Sequence, residues 1–356
     1  MAKMAAVRDG AAPGQSAVAG RSVAPGQSAV AGRSVAPGVG TLGRSAAPGR
    51  SAAPGRSAAA GRSAAPGRSA AAGRSAAAGR SAAAAPVPVR ADLHIHTTVS
   101  DGSETFEQVL DQACEWGLTH LAFTNHDTTR GLSTALALDG RHGIRVIGGV
   151  EISAFDFERN RKVHILGLGL FSEDAPTIAA LCEPVLRRRH ENTLWQMEQL
   201  EKHGVAFDRA AIYQAAQDAT ALYRQHIMEQ LTDAPYASSA YQRLNRLFFR
   251  DGNICERDIE YVDARDAVQA IKEDGGIAVL AHPGRLDNFA FVPALVDAGL
   301  DGIEKYHPDH NERDLRVVEQ LARDHALIVT GGSDYHGRYG APAHVGLCMI
   351  DRLDLS

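Results

Sequence analysis

After Val89 the chain settles into short apolar, β-branched runs separated by stretches of helical or turn character. The runs predict strands at Ala91–Ile95, Thr119–Thr124, Arg145–Ile152, Val163–Gly167, Ile277–Ala281, Gly302–Tyr306 and Leu327–Thr330. Between the first two, Phe106, Val109, Leu110, Ala113 and Cys114 recur at the spacing of one helical face. Thr105 and Gln108 supply a Thr-x-x-Gln capping box at its start, and Gly117 stops it. Repeated β-α units of this kind predict an α/β barrel with its chemistry at the C-terminal ends of the strands. One stretch breaks the rhythm: residues 175–261 hold no strong strand pattern and read as a mainly helical insertion, placed to cover the barrel mouth. The barrel is then assembled from 89–174 and 262–356.

Residues 1–88 follow another pattern. From Gly43 to Arg80 the unit Gly-Arg-Ser-Ala-Ala-(Pro/Ala) recurs every six residues, and a looser version precedes it. A tract nearly free of large apolar side chains cannot offset the entropy of ordering its backbone, so a disordered arm is expected. Glycine does not recur at every third position, which excludes a collagen helix. Charge divides at the same boundary, with a net +11 over residues 1–90 and −16 over the remainder. The basic arm reads first as a flexible tail without a specific partner, with contact to nucleic acid, another acidic surface or its own body as the alternatives, whereas the acidic body suits a protein that gathers divalent cations. No run of eighteen apolar residues occurs, so no membrane span is predicted. Cys114, Cys182, Cys255 and Cys348 form no Cys-x-x-Cys pair and read as ordinary thiols of a reducing cytoplasm.

All fifteen histidines lie after residue 90. Several fall, with carboxylates, in or just after the predicted strands: His94, His96 and Asp101, then His126, Glu151, His164, His282, Asp334 and His336. His94 and His96 alternate in a strand and so share a face. Neutral imidazoles and carboxylates gathered in one place are what a centre of two or three divalent ions requires. Such mixed shells suit Mn²⁺ foremost, with Fe²⁺ or Zn²⁺ as alternatives, better than Mg²⁺, which prefers oxygen.

The segments Asp92-Leu-His-Ile-His-Thr97 with Ser100-Asp-Gly102, Thr124-Asn-His-Asp-Thr128, Gly149-Val-Glu-Ile-Ser153, Val163-His-Ile165, Ala281-His-Pro283 and Gly332-Ser-Asp-Tyr-His336 carry a resemblance. In kind and order they are similar to the motifs of the polymerase and histidinol phosphatase (PHP) domain phosphoesterases, over nearly all of residues 91–340. The resemblance implies a distorted (β/α)₇ TIM-like barrel and three neighbouring metal positions. His94, His96, Glu151 and Asp334 would hold the first, and Asp101, His126 and His336 the second. Glu151 would reach a third with His164 and His282. Asp92 and Asp127, which flank ligands, would orient imidazoles from behind. Water held between two ions would then attack phosphorus in line, with His307 or His226 as candidate proton donor to the leaving oxygen.

Within the family the segment Tyr223-Arg-Gln-His-Ile-Met228 is similar to an Arg-x-His motif of small nucleotide phosphatases and of proteins acting on RNA 5′ ends. Arg224 would grip a non-reacting phosphate, assisted by His226, and Arg285 is a further phosphate candidate. Where those relatives carry Gly-Lys-Pro-x-Tyr-Val, this chain reads Arg257-Asp-Ile-Glu-Tyr-Val262 and lacks the lysine expected at a second phosphate. The reading that results is a metal-dependent phosphoesterase acting on small nucleotide-like phosphates or short oligonucleotide ends. The alternatives are a phosphatase of another small metabolite, such as histidinol phosphate, and a nucleic-acid-associated module that trims or binds ends.

Overall fold

The computed structural model describes residues 88–341 and 344–353. The repeat arm, but for Pro88, lies outside the described residues. Strand β1 (Ala91–Ile95) leads through helix α1 (Phe106–Glu115) to β2 (His120–Phe123), and through α2 (Leu132–Leu136) to β3 (Arg145–Asp156), which turns directly into β4 (Arg161–Leu168). Four helices follow: α3 (Pro176–Lys202), α4 (Arg209–Ala215), α5 (Arg224–Leu231) and α6 (Ser239–Phe249). The chain rejoins the sheet at β5 (Val262–Asp263) and continues through α7 (Ala264–Glu273), β6 (Ile277–Leu280), α8 (Pro283–Leu286) and α9 (Val292–Asp297). It ends on β7 (Gly302–Tyr306), α10 (Glu312–His325) and β8 (Ile328–Gly331).

The strands pair in the order β1-β2-β3-β4-β6-β7-β8, with β5 alongside β3. Beyond β8 the chain comes back to β1: the His96 N–H donates to the Tyr335 carbonyl at 2.8 Å, and Ala91 and Ile350 exchange two bonds of 2.9 Å. The sheet is thereby nearly closed into a barrel. All pairings are parallel except those of β4, which runs antiparallel to both β3 and β6. This departs from the expected run of β-α units, and the reason is length. Four residues, 157–160, separate β3 from β4, enough for a hairpin but far short of the dozen or more a parallel crossover needs. The reversal carries the N-terminal half of β4, with His164, to the end of the barrel where the other strands finish.

Local signals position the frame. Helix α1 starts on the Thr105–Gln108 capping box, buries Phe106, Val109, Leu110 and Ala113, and is followed by Gly117 at φ +68°. Helix α7 is capped by the Asp263 side chain and packs Ala267, Val268 and Ile271 into the main core beneath β3 and β4. Leu93, Leu166, Leu168 and Val279 join a second apolar cluster contributed by β1, β4 and β6, each fully buried leucine stabilising the fold by roughly 1.5–3 kcal/mol. The helices after β4 hold a cluster of their own, including Met197, Leu200, Ile212, Ile227, Met228 and Phe249. Helix α3 belongs to both, since Ile178 and Cys182 near its start lie in the barrel's core cluster.

Candidate metal centre

The nine imidazole and carboxylate residues singled out above converge. Glu151, on β3 and 1% exposed, stands at the middle. Its Oε1 lies 2.7 Å from His164 Nδ1 and 3.0 Å from His282 Nε2. Its Oε2 lies 3.1 Å from His96 Nε2, 3.3 Å from His94 Nε2 and 3.3 Å from His126 Nδ1. Asp334 Oδ1 faces the same His94 and His96 nitrogens at 3.5 and 3.3 Å. Asp101 faces His336 Nε2 at 3.4 Å, His96 Nδ1 at 3.6 Å and His126 Nε2 at 4.0 Å.

Three groups within this constellation are close enough to share an ion: His94, His96, Glu151 and Asp334; His96, Asp101, His126 and His336; and His126, Glu151 and His164. The first coincides with the first set expected from the motifs. The second adds His96 to the expected set. In the third His126 takes the place of His282, which nevertheless touches the same Glu151 oxygen as His164.

The donor set fits divalent ions on an observation independent of any motif. Buried polar atoms are nearly always hydrogen-bonded, yet His94 Nε2, both nitrogens of His96, Asp101 Oδ1, Glu151 Oε2 and His282 Nδ1 are buried without a hydrogen-bond partner. All but His282 Nδ1 are lone-pair donors that face one another across the site. Burial alone would raise the Glu151, Asp101 and Asp334 carboxyls, but the surrounding imidazoles hold all three well below the usual carboxylate range. Burial pushes the His282 imidazole down to about 3, against the pull of Glu151. The backbone is bent to reach this arrangement, with positive φ at Asp127 (57°), His282 (27°) and Asp334 (51°).

Glu304, on β7, had no place among the candidates. It is fully buried, accepts from His94 Nδ1 at 3.2 Å and from the His282 N–H at 2.7 Å, and so leaves His94 Nε2 free to face Glu151. Its signal was a lone acid inside the apolar run Gly302–Tyr306. Asp92 does something other than expected: it touches no imidazole. Its carboxylate accepts from the backbone N–H groups of His94 (3.3 Å), Ser333 (2.9 Å) and Gly346 (2.6 Å), pinning two ligand-bearing segments together. Asp127 accepts from Ser153 N–H at 2.7 Å and from the Arg189 guanidinium at 2.8 Å, and reaches His126 only through Ser153, whose Oγ lies 3.4 Å from His126 Nδ1.

Of the remaining candidates, His307 and Arg285 contact Asp334, and His226 and Arg224 lie on α5. His307 accepts the Asp309 N–H on Nδ1 at 3.0 Å, which places its proton on Nε2, 3.3 Å from Asp334 Oδ2. His226 accepts the Tyr223 N–H on Nδ1 at 3.1 Å, and burial lowers its pKa to about 4, so it stands as a neutral Nε2–H donor. Arg285 donates to Asp334 Oδ2 at 2.5 Å. Arg224 contacts Asn245 Oδ1 at 3.4 Å and lies over the Phe249 ring at 5.7 Å. No carboxylate pairs with Arg224 among the described residues, and Lys162 and Arg250 are cations close enough to repel it.

Comparison with known proteins follows this geometry. Residues 92–273 match the PHP domain family. The phosphoribosyl 1,2-cyclic phosphate 1,2-diphosphodiesterase of Eggerthella lenta is 55% identical over 255 residues, which is 72% of this chain and 97% of that protein. The 3′,5′-nucleoside bisphosphate phosphatase of Chromobacterium violaceum is 33% identical over 69% of this chain and 86% of its own. A solved structure from Bifidobacterium adolescentis, assigned as a metal-dependent phosphoesterase, superposes with a TM-score of 0.64 at 27% identity, covering 73% of this chain and 92% of that one. A family match that takes in His94, His96, Asp101, His126, Glu151 and His164, and a relative aligned almost end to end, make this chain a member of the PHP-domain family and a metal-dependent phosphoesterase.

Proposed function

We propose that this enzyme hydrolyses phosphate esters on a phosphorylated pentose, with a five-membered cyclic phosphodiester as its preferred substrate and nucleotide-like monoesters as weaker ones. The observation that carries this reading is the 55% identity to the Eggerthella lenta enzyme across nearly that protein's whole length. Two or three ions, Mn²⁺ before Fe²⁺ or Zn²⁺, would be held by His94, His96, Asp101, His126, Glu151, His164, His282, Asp334 and His336. When bound, such ions lower the pKa of water between them and neutralise charge on the phosphoryl group. The chain's own residues do the rest. Arg285 and His307 hold Asp334 through its Oδ2. His307, with its proton on Nε2, is placed to donate to a leaving oxygen, and His226 offers a second Nε2–H. Arg224, a guanidinium without a carboxylate, receives the substrate's non-reacting phosphate. One water breaks one ester bond of the ring and leaves a monoester, and a second breaks the other and releases inorganic phosphate. The four cysteines, all free thiols, accord with work in a reducing cytoplasm.

The test is a panel comprising a phosphoribosyl 1,2-cyclic phosphate, a nucleoside 3′,5′-bisphosphate, a nucleoside monophosphate, histidinol phosphate and a 5′-phosphorylated oligonucleotide. The cyclic phosphate should show the highest kcat/KM by at least about tenfold. A higher value for histidinol phosphate or for the oligonucleotide would overturn the assignment.

A further inference from the structure

Two side chains of the helices inserted after β4 reach the metal-binding set, Gln225 directly and Arg189 through Asp127 and Ser153. Gln225, on α5, donates from Nε2 to Asp101 Oδ2 at 2.8 Å, while Asp101 Oδ1 stays buried and unbonded, facing His336 and His96. Arg189, on α3, donates at 2.8 Å to both Asp127 Oδ2 and Ser153 Oγ. Ser153 in turn contacts His126 Nδ1 at 3.4 Å, so that Nε2 is the His126 nitrogen directed at Asp101. The Arg189 guanidinium also lies over the Tyr223 ring at 5.3 Å, and Tyr223 O–H bonds the His126 carbonyl at 3.5 Å. Asp101 and His126 belong to the same candidate group, with His96 and His336; the insertion bonds Asp101 directly through Gln225 and reaches His126 through Arg189 and Ser153 and through the Tyr223 O–H. The group around His94, Glu151 and Asp334 is oriented from the barrel instead, by Glu304 on β7.

We propose that Arg189 and Gln225 are positioning residues by which the helical insertion sets one metal position of the centre, that of Asp101, His126 and His336. The group of His94, His96, Glu151 and Asp334 is held by Glu304 of the barrel, while the group of His126, Glu151 and His164 shares His126 with the position set from the insertion. Asp101 has one oxygen fixed by a hydrogen bond from the insertion and the other left for the ion, and His126 is steadied through Ser153, which Arg189 holds; removal of such an outer contact typically weakens metal affinity by about 10- to 100-fold. Gln225 lies between Arg224 and His226, so occupancy of this position is tied to the placement of the residues that would meet the substrate's remote phosphate. The inference rests on the metal reading above.

The experiment is metal analysis and metal titration of the full chain, purified without chelator, for the wild type, Gln225→Met, Arg189→Met and Arg189→Lys. The expected result is the loss of one equivalent of Mn²⁺ per chain in Gln225→Met and Arg189→Met, or at least about a tenfold weaker Kd for one equivalent with the others unchanged. Arg189→Lys should recover part of that affinity. Gln225 is only partly buried, so its variant keeps the test open where Arg189→Met fails to fold. Unaltered stoichiometry and affinity in Gln225→Met, with a loaded wild type, would overturn the inference and leave the metal reading standing. A wild type with no bound metal after titration would overturn both.

Discussion

Glu151 is the residue on which the centre depends most, because five imidazole nitrogens lie within 3.3 Å of its two oxygens. Glu151→Ala should therefore remove more than half of the bound metal and lower turnover by at least about 10³-fold, a loss of several kcal/mol of transition-state stabilisation. Metal analysis beside kinetics checks it, and full metal content would refute the bridging role. Glu304→Gln makes a subtler change. It keeps the shape of the side chain but weakens the bond that fixes the His94 ring, so metal affinity should drop about 10- to 100-fold at nearly unchanged secondary structure. Arg224→Ala should raise KM about tenfold or more for a substrate with a remote phosphate, and leave p-nitrophenyl phosphate hydrolysis within about twofold. Equal losses on both substrates would argue against a remote-phosphate role. The nine candidate ligands were legible because each stands within or beside an apolar run. Glu304, Arg189 and Gln225 were not, since what gives them meaning is a partner 210, 62 or 124 residues away.

At the level of elements, the strands were the most readable part of the chain. Each of the seven expected runs lies in a strand whose ends differ from the expected ones by at most four residues, because burial on a pleated sheet demands the β-branched composition that marks them. What escaped was direction and brevity. The Phe157–Asn160 turn reverses β4 with no sequence feature stronger than its shortness, and β5 spans two residues, too few for any periodicity. Helix α1 shows how local signals suffice when they are strong, its capping box being present with both reciprocal bonds. Thr105→Ala should cost about 1 kcal/mol, read as a fall of roughly 2–4 °C in Tm, because it frees a backbone donor at the helix start.

For the whole molecule, Asp101, Glu151, Glu304 and Asp334 are four carboxylates buried in one site, an arrangement that favours occupancy by cations over an empty state. Chelation should lower Tm, by roughly 5–10 °C for each ion present at about a hundred times its Kd, since each bound ion stabilises only the folded form. The difference in Tm between loaded and chelated protein should shrink as pH falls from about 8 to about 6, because protons compete for the same imidazoles and binding releases them. A difference that grows on acidification would exclude histidine ligation as its source.

Helix α3 places Ile178 and Cys182 in the barrel core and Met197 and Leu200 in the core of the helices that follow. Heat or denaturant that melted one end of this rod would strip apolar surface from the other, so the insertion has no melting transition of its own to undergo. Calorimetry should show a single endotherm with matching calorimetric and van't Hoff enthalpies.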